Sequence, residues 1–101
     1  MSYFPITIQR RDPDTELWTD YLRLHAIQVN RSGGGESSAA GAEQYHPRLR
    51  FDLRWCKALE VIRYATQSHR IVYQGQVFNI LDYDDYMEQH RTVRLVGEAY
   101  G

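Results

Sequence analysis

Cysteine is almost missing from this chain: Cys56 stands alone, which excludes an internal disulfide and fits a reducing compartment. Packing and hydrogen bonds must then hold the fold without a staple. Long apolar runs are missing as well. None approaches the roughly 18 residues that a membrane helix needs, and no basic N-terminal region leads into a long apolar stretch. The expectation is a protein made and used in solution, with no membrane partner. Nor is there an excess of charge of either sign. Lys and Arg number 12 against 13 Asp and Glu, a formal net charge of -1, so no overall cationic field draws the molecule onto nucleic acid.

What is present points to strands. Hydrophobic residues make up 43% and aromatic residues 13%, and the eight tyrosines suit strands and contact surfaces better than a helical bundle. At 101 residues the chain reads as one domain, 1–101, with a single core and no room for a deep active-site cleft.

Phe4, Ile6 and Ile8 alternate with Pro5, Thr7 and Gln9, which predicts a half-buried first strand whose proline suits an edge or a strand start. Asp12-Pro13-Asp14 then predicts a turn. The run from Trp18 to Asn30 is too long and irregular for one simple period and reads as a long strand with a bend or bulge near Ala26. A helix is the rival there, but Trp18, Tyr21, Ile27 and Val29 favour β structure. Arg48 to Trp55 is the clearest strand, because Leu49, Phe51, Leu53 and Trp55 alternate with Arg48, Arg50, Asp52 and Arg54. One face is expected in the core and the other, charged, in water. Leu59, Val61 and Ile62 suggest a short strand over Lys57 to Ile62.

The C-terminal third is the most regular part. His69 to Ile80 reads as two strands around Gln74-Gly75-Gln76, where Gly75 can adopt the positive φ that a tight hairpin needs. Asp82 to Glu88 offers a single helical turn, with Asp85 and Glu88 at capping-box spacing, and Thr92 to Ala99 closes the sheet. The class expected is all-β, or β-rich with one short helix: a small β-barrel with a long flexible loop after its second strand. That loop, 31–45, is built of Gly, Ser, Ala and Glu with almost no bulky apolar group, and loops so long in small domains tend to be functional or mobile. A passive surface loop is the bland alternative.

Chemistry finds little purchase. His25, His46, His69, His90 and Cys56 are scattered, with none at the close paired spacing of a zinc site, so neither a metal nor a cofactor is expected. Cys56 follows Trp55 at a strand end and reads as a small packed residue rather than a catalytic thiol. Asp82, Asp84, Asp85 and Glu88 lack the order of a calcium loop, and Gly33-Gly34-Gly35 is followed by Glu36 where a phosphate loop places lysine. No catalytic residue is expected. The arginines of the Arg48 to Trp55 strand, Arg48, Arg50 and Arg54, suit cross-strand ion pairs, a protein interface or a nucleic-acid track, and Asp52 dilutes their field. In the nucleic-acid reading, Trp55, Tyr64, Tyr73 and Phe78 would supply stacking faces.

The order of the pieces carries further information. An Ile6-Thr-Ile-Gln9 strand, a Trp-containing second strand, the Ser32-Gly33-Gly34-Gly35-Glu36 loop start and Arg70-Ile-Val-Tyr-Gln-Gly-Gln-Val-Phe-Asn-Ile80 together resemble the head-closure (stopper, or head–tail joining) proteins of long-tailed bacteriophages. The resemblance implies a small β-barrel that assembles as a six- or twelve-fold ring of its own copies beneath a portal-bound adaptor. Such a ring closes the DNA exit channel after packaging and presents a surface to a tail-terminator or tail-tube protein. Packaged DNA would be held in the channel without sequence-specific binding, in a virion assembled in the host cytoplasm. It further implies that Arg31, Ser32, Gly33, Gly34, Gly35, Glu36, Glu43 and Gln44 belong to a loop that lines the channel or docks on a neighbour. Arg48, Arg50 and Arg54, with Asp82, Asp84 and Asp85 as an acidic rim, are the candidate interface charges. The other readings to weigh are a nucleic-acid-binding small barrel and another connector or tail-terminator protein.

Overall fold

The computed structural model describes residues 4–32, 47–85 and 89–99. Seven antiparallel strands form one sheet: β1 (Phe4–Arg11), β2 (Trp18–Ala26), β3 (Gln28–Arg31), β4 (Arg48–Arg54), β5 (His69–Tyr73), β6 (Gln76–Asp85) and β7 (Thr92–Ala99). A short helix, α1 (Lys57–Arg63), and a single tighter helical turn, Thr66–Ser68, lie between β4 and β5. The strand order is β2-β1-β5-β6-β7-β4-β3. β2 and β3 are consecutive in the chain yet sit at opposite edges of the sheet, so the bend between them at Ile27 ties the two edges together. The sheet therefore curls into a half-barrel, and the Ile27 N–H donates to the Asp52 carbonyl at 2.7 Å where the edges meet.

The long irregular run from Trp18, expected as a single strand bent near Ala26, bends at Ile27 and is divided there into two strands, β2 and β3. A second irregularity, at Tyr21, lets Ile8 pair with Leu22 and Gln9 with Asp20. Asp12 organises the turn before it, its carboxylate accepting from the Asp14 N–H at 2.7 Å and the Thr15 N–H at 3.2 Å. The β5–β6 hairpin has a two-residue loop between paired Tyr73 and Gln76, with Gln74 at φ 52° and Gly75 at φ 77°. Positive φ at both positions is the mirror-image turn whose twist matches that of paired strands.

Two expectations are overturned. Lys57 to Ile62 is helical, because Leu59 and Ile62, three apart, are fully buried on one face while Val61 points outward at 44% exposure. A strand would have placed Val61 and Leu59 together. The expected helical turn from Asp82 is instead strand: β6 continues to Asp85, paired with Val93 of β7. Residues 86–88 lie outside the described part.

The core gathers alternate residues of nearly every strand: Ile6, Ile8, Phe51, Leu53, Ile71, Phe78, Ile80, Val93 and Leu95, capped by Leu59 and Ile62 of α1. Each large side chain buried here contributes about 1.5–3 kcal/mol. Phe51 is the hub, meeting Tyr73 and Phe78 edge to face at 5.6 and 5.7 Å. Gly97 faces the same space, and a Cβ there would lie 2.9 Å from the Phe78 Cβ. A glycine at this core position is what lets the phenylalanine cross β7.

Candidate interaction surface

Because strand side chains alternate, the register that buries the core turns a set of polar residues outward in rows. One row crosses six strands: Asp20 opposite Gln9, Gln9 opposite Arg70, Arg70 opposite Asn79, Asn79 opposite Glu98, and Glu98 opposite Arg48. Its members bond along the row. Gln9 donates its amide to Asp20 at 3.1 Å and accepts from Arg70 Nε at 2.8 Å, while Arg48 Nε donates to Glu98 at 3.1 Å. The Gln9 amide and then the Arg23 guanidinium hold the Asp20 carboxyl below its ordinary value of 3.8. Arg70 also stacks on Trp18, 4.2 Å from the ring centre.

Beside it runs a second row, Asp84 opposite Arg94 opposite Asp52 opposite Gln28. β7 thereby joins two groups of charges that are thirty residues apart in the chain. The arginines of β4 and the acids of β6 become one surface, with Arg94 between them. Arg94 Nε donates to Asp52 at 3.2 Å, and Arg50 Nε sits 3.9 Å from the same oxygen, too long for a hydrogen bond. Asp52 is therefore only 9% exposed, and the outer face of β4 is not the fully solvated face expected. Arg54 extends from the strand end, and neither it nor the exposed Asp82 and Asp84 within β6 has an ion-pair partner among the described residues.

Asp85 does not belong to an outer acidic rim. Its side chain is 1% exposed and turns to the α1 end of the barrel, accepting the His90 main-chain N–H at 3.1 Å and the His90 ring Nδ1–H at 2.8 Å. The bulge between Ile80 and Asp82 set this inward phase, which alternation alone misses. His90, held at φ 56°, lies against Trp55 with ring centres 4.4 Å apart. Trp55 Nε1 donates to Glu60 Oε1 at 3.0 Å, Tyr83 approaches the same oxygen at 3.5 Å, and Arg63 donates to Oε2 at 3.2 Å. The Trp55 bond is the main cause that holds Glu60 below its ordinary 4.5, and burial is the main cause that keeps the Tyr83 phenol un-ionised. Glu60, Asp85 and His90 bring ligand-type atoms within 4.8 Å of one another, a grouping the scattered sequence positions conceal. Each of those carboxylates already accepts protein donors, so the cluster reads as a structural network.

The stacking faces of the nucleic-acid reading are not assembled. Phe78 is 2% exposed, Tyr73 packs on Phe51, and Trp55 is engaged by Glu60 and His90, which leaves Tyr64, 79% exposed, by itself. Of the loop residues, Arg31 ends β3 and the Ser32 N–H donates to the Arg48 carbonyl at 3.0 Å. Gly33, Gly34, Gly35, Glu36, Glu43 and Gln44 lie outside the described residues. Arg94, Glu98 and Gln9 were missed as surface-forming residues because only cross-strand register, absent from local sequence, puts them in a row. His25 is exposed on β2, and no helix among the described residues is long and apolar enough to cross a membrane.

Comparison with known families adds one finding. The model of the family described as "Phage head completion protein" matches residues 7–99, from β1 to the end of β7. No curated protein matches the chain.

Proposed function

The chain belongs to the phage head completion protein family and is a structural component of phage head assembly, and from that premise we propose that it closes the DNA exit channel after packaging. In this reading copies of the barrel form a ring beneath a portal-bound adaptor, hold the packaged DNA without reading its sequence, and offer the attachment surface for the tail. The observation that carries the reading is the extent of the family match, which runs from within β1 to the end of β7. The role thus attaches to the body of the fold and to its outer faces.

The chemistry of those faces supports a mechanical part. Many of their charges pair with one another in rows along the sheet, and Arg54, Asp82 and Asp84 have no ion-pair partner among the described residues. A near-neutral subunit of this kind can still show a local field to a channel or a partner once many copies are arrayed. The loop that begins at Ser32 is the segment we assign to the channel or to a neighbouring copy, because a glycine-rich stretch can be fixed on docking at little energetic difference between arrangements.

Electron microscopy of particles made without this gene tests the proposal. Finished tails lying free beside tailless capsids that package DNA and then leak it are expected. Intact, tailed, infectious particles would sink the closure role.

A further inference from the structure

Two outer features lie beside the rows described above. On β6 the register slips between Ile80 and Asp82, which puts Leu81 outside the ladder at 46% exposure, next to the uncommitted acid Asp82. On the outer side of β2, β1 and β5, reaching the β5–β6 turn, lies a groove of about 390 Å³ whose lining includes Pro5, Thr7, Arg23, His25, Val72 and Gln74. One is an apolar knob beside a negative charge; the other is a largely apolar recess beside a positive one.

We propose that they are two halves of one contact between copies of this chain: Leu81 of one copy seats in the groove of the next, with Asp82 meeting Arg23. The proposal rests on the ring reading above and names its subunit contact. Charge complementarity selects a second copy as the occupant, since Asp82 has no partner of its own among the described residues. Arg23 is available to it, because its side chain is 80% exposed and its 3.2 Å pair with Asp20 is a surface pair of small worth. Desolvation of Leu81 and the apolar lining drives the contact, and the charge pair sets its direction. Knob and groove are different patches, so the contact is heterologous. Repetition then yields a ring when the rotation closes, whereas a self-complementary patch would stop at a dimer.

Cysteine cross-linking in assembled particles tests this. In a Cys56→Ser background, Thr7→Cys and Leu81→Cys are introduced singly and together, and the particles are oxidised. Within one chain the two positions cannot bridge. They lie on β1 and β6 with β5 between, offset by four residues in register, or about 13 Å along the strands and about 9 Å across them. A disulfide needs Cα atoms within about 7 Å. The double variant is expected to give a ladder of covalent multimers, and each single variant none.

Dimers from Leu81→Cys alone, or its cross-linking to a different virion protein, would overturn the contact. So would the absence of a ladder in tailed, DNA-filled particles that contain the double variant. In those same particles a bifunctional photo-activated carbene cross-linker, which needs no amine and so is not limited to the single lysine Lys57, separates the two readings: multimers of this chain leave the ring standing without this contact, and none removes the ring as well. Should the cysteine variants not enter particles, a charge exchange decides. Asp82→Arg and Arg23→Asp are each expected to lower tail joining at least tenfold and the pair to restore it; failure of the pair to restore joining overturns the proposal.

Discussion

The two ends of the barrel are held by different physics. Toward the β5–β6 turn, Phe51, Tyr73 and Phe78 pack edge to face over Gly97, and the contact is almost wholly apolar. Toward α1, Trp55, Glu60, Tyr83, Asp85 and His90 form a hydrogen-bonded network around the buried Asp85 and the half-buried Glu60, and the buried His69 lies at the start of β5. The first end is sensitive to volume and indifferent to pH. The second tolerates small changes of shape but depends on protonation. Packing is non-directional and scales with buried area, whereas each buried polar group must keep a partner.

The largest effect expected from breaking this contrast is at its hub. Phe51→Ala removes a fully buried ring and should cost about 3–5 kcal/mol in denaturant unfolding, with no dependence on pH between 5 and 8. Gly97→Ala comes next, at about 1–3 kcal/mol, because the new Cβ must displace Phe78. If that is the mechanism, combining it with Phe78→Leu loses less than the sum of the two, which a double-mutant cycle measures. At the polar end, Asp85→Ala should cost about 1–2 kcal/mol, since His90 is half exposed and water can replace the lost carboxylate.

Acid should act first at the polar end, and there in two stages. His69 donates Nδ1–H to the Ala65 carbonyl at 2.8 Å, its buried Nε2 meets no partner among the described residues, and burial is the main cause that lowers its pKa. The folded state keeps this imidazole neutral, so its contribution is full above the ordinary value of 6.5 and is lost as pH falls from there through the lowered folded value. Glu60, also lowered, contributes above 4.5 and loses that contribution as pH falls further. Unfolding followed from pH 7.5 to 4 should show stability declining first below about 6.5, and His69→Phe should remove that first stage. A flat profile in the parent chain would contradict the assignment. The smallest effect belongs to the outer row: Arg48→Ala breaks an exposed pair with Glu98 and should change stability by about 0–1 kcal/mol.

Most strands were legible because they obey a simple period. Phe4 to Gln9, Leu49 to Arg54 and Thr92 to Ala99 alternate, and a hairpin around Gly75 has few ways to form. α1 was not legible as a helix, because seven residues with Leu59, Val61 and Ile62 fit a strand as well until burial selects Leu59 and Ile62. Asp85 was assigned to the outside because one unpaired residue, Leu81, shifts the phase of everything after it, and no local signal marks a bulge that has no glycine. The candidate interface charges of β4 and β6 were read as two separate groups, and β7 brings all of them but Asp85 onto one surface.

Composition and period alone determined a β-rich fold with one apolar face per strand, no internal disulfide and no net positive charge to attract nucleic acid. These depend only on which residues are present and how they alternate. The tertiary structure decided which strands are neighbours, and with that the polar rows, the network around Asp85 and the placing of a knob and a groove on different parts of the barrel. Those properties come from cross-strand register between residues far apart in the chain, which no window of sequence contains.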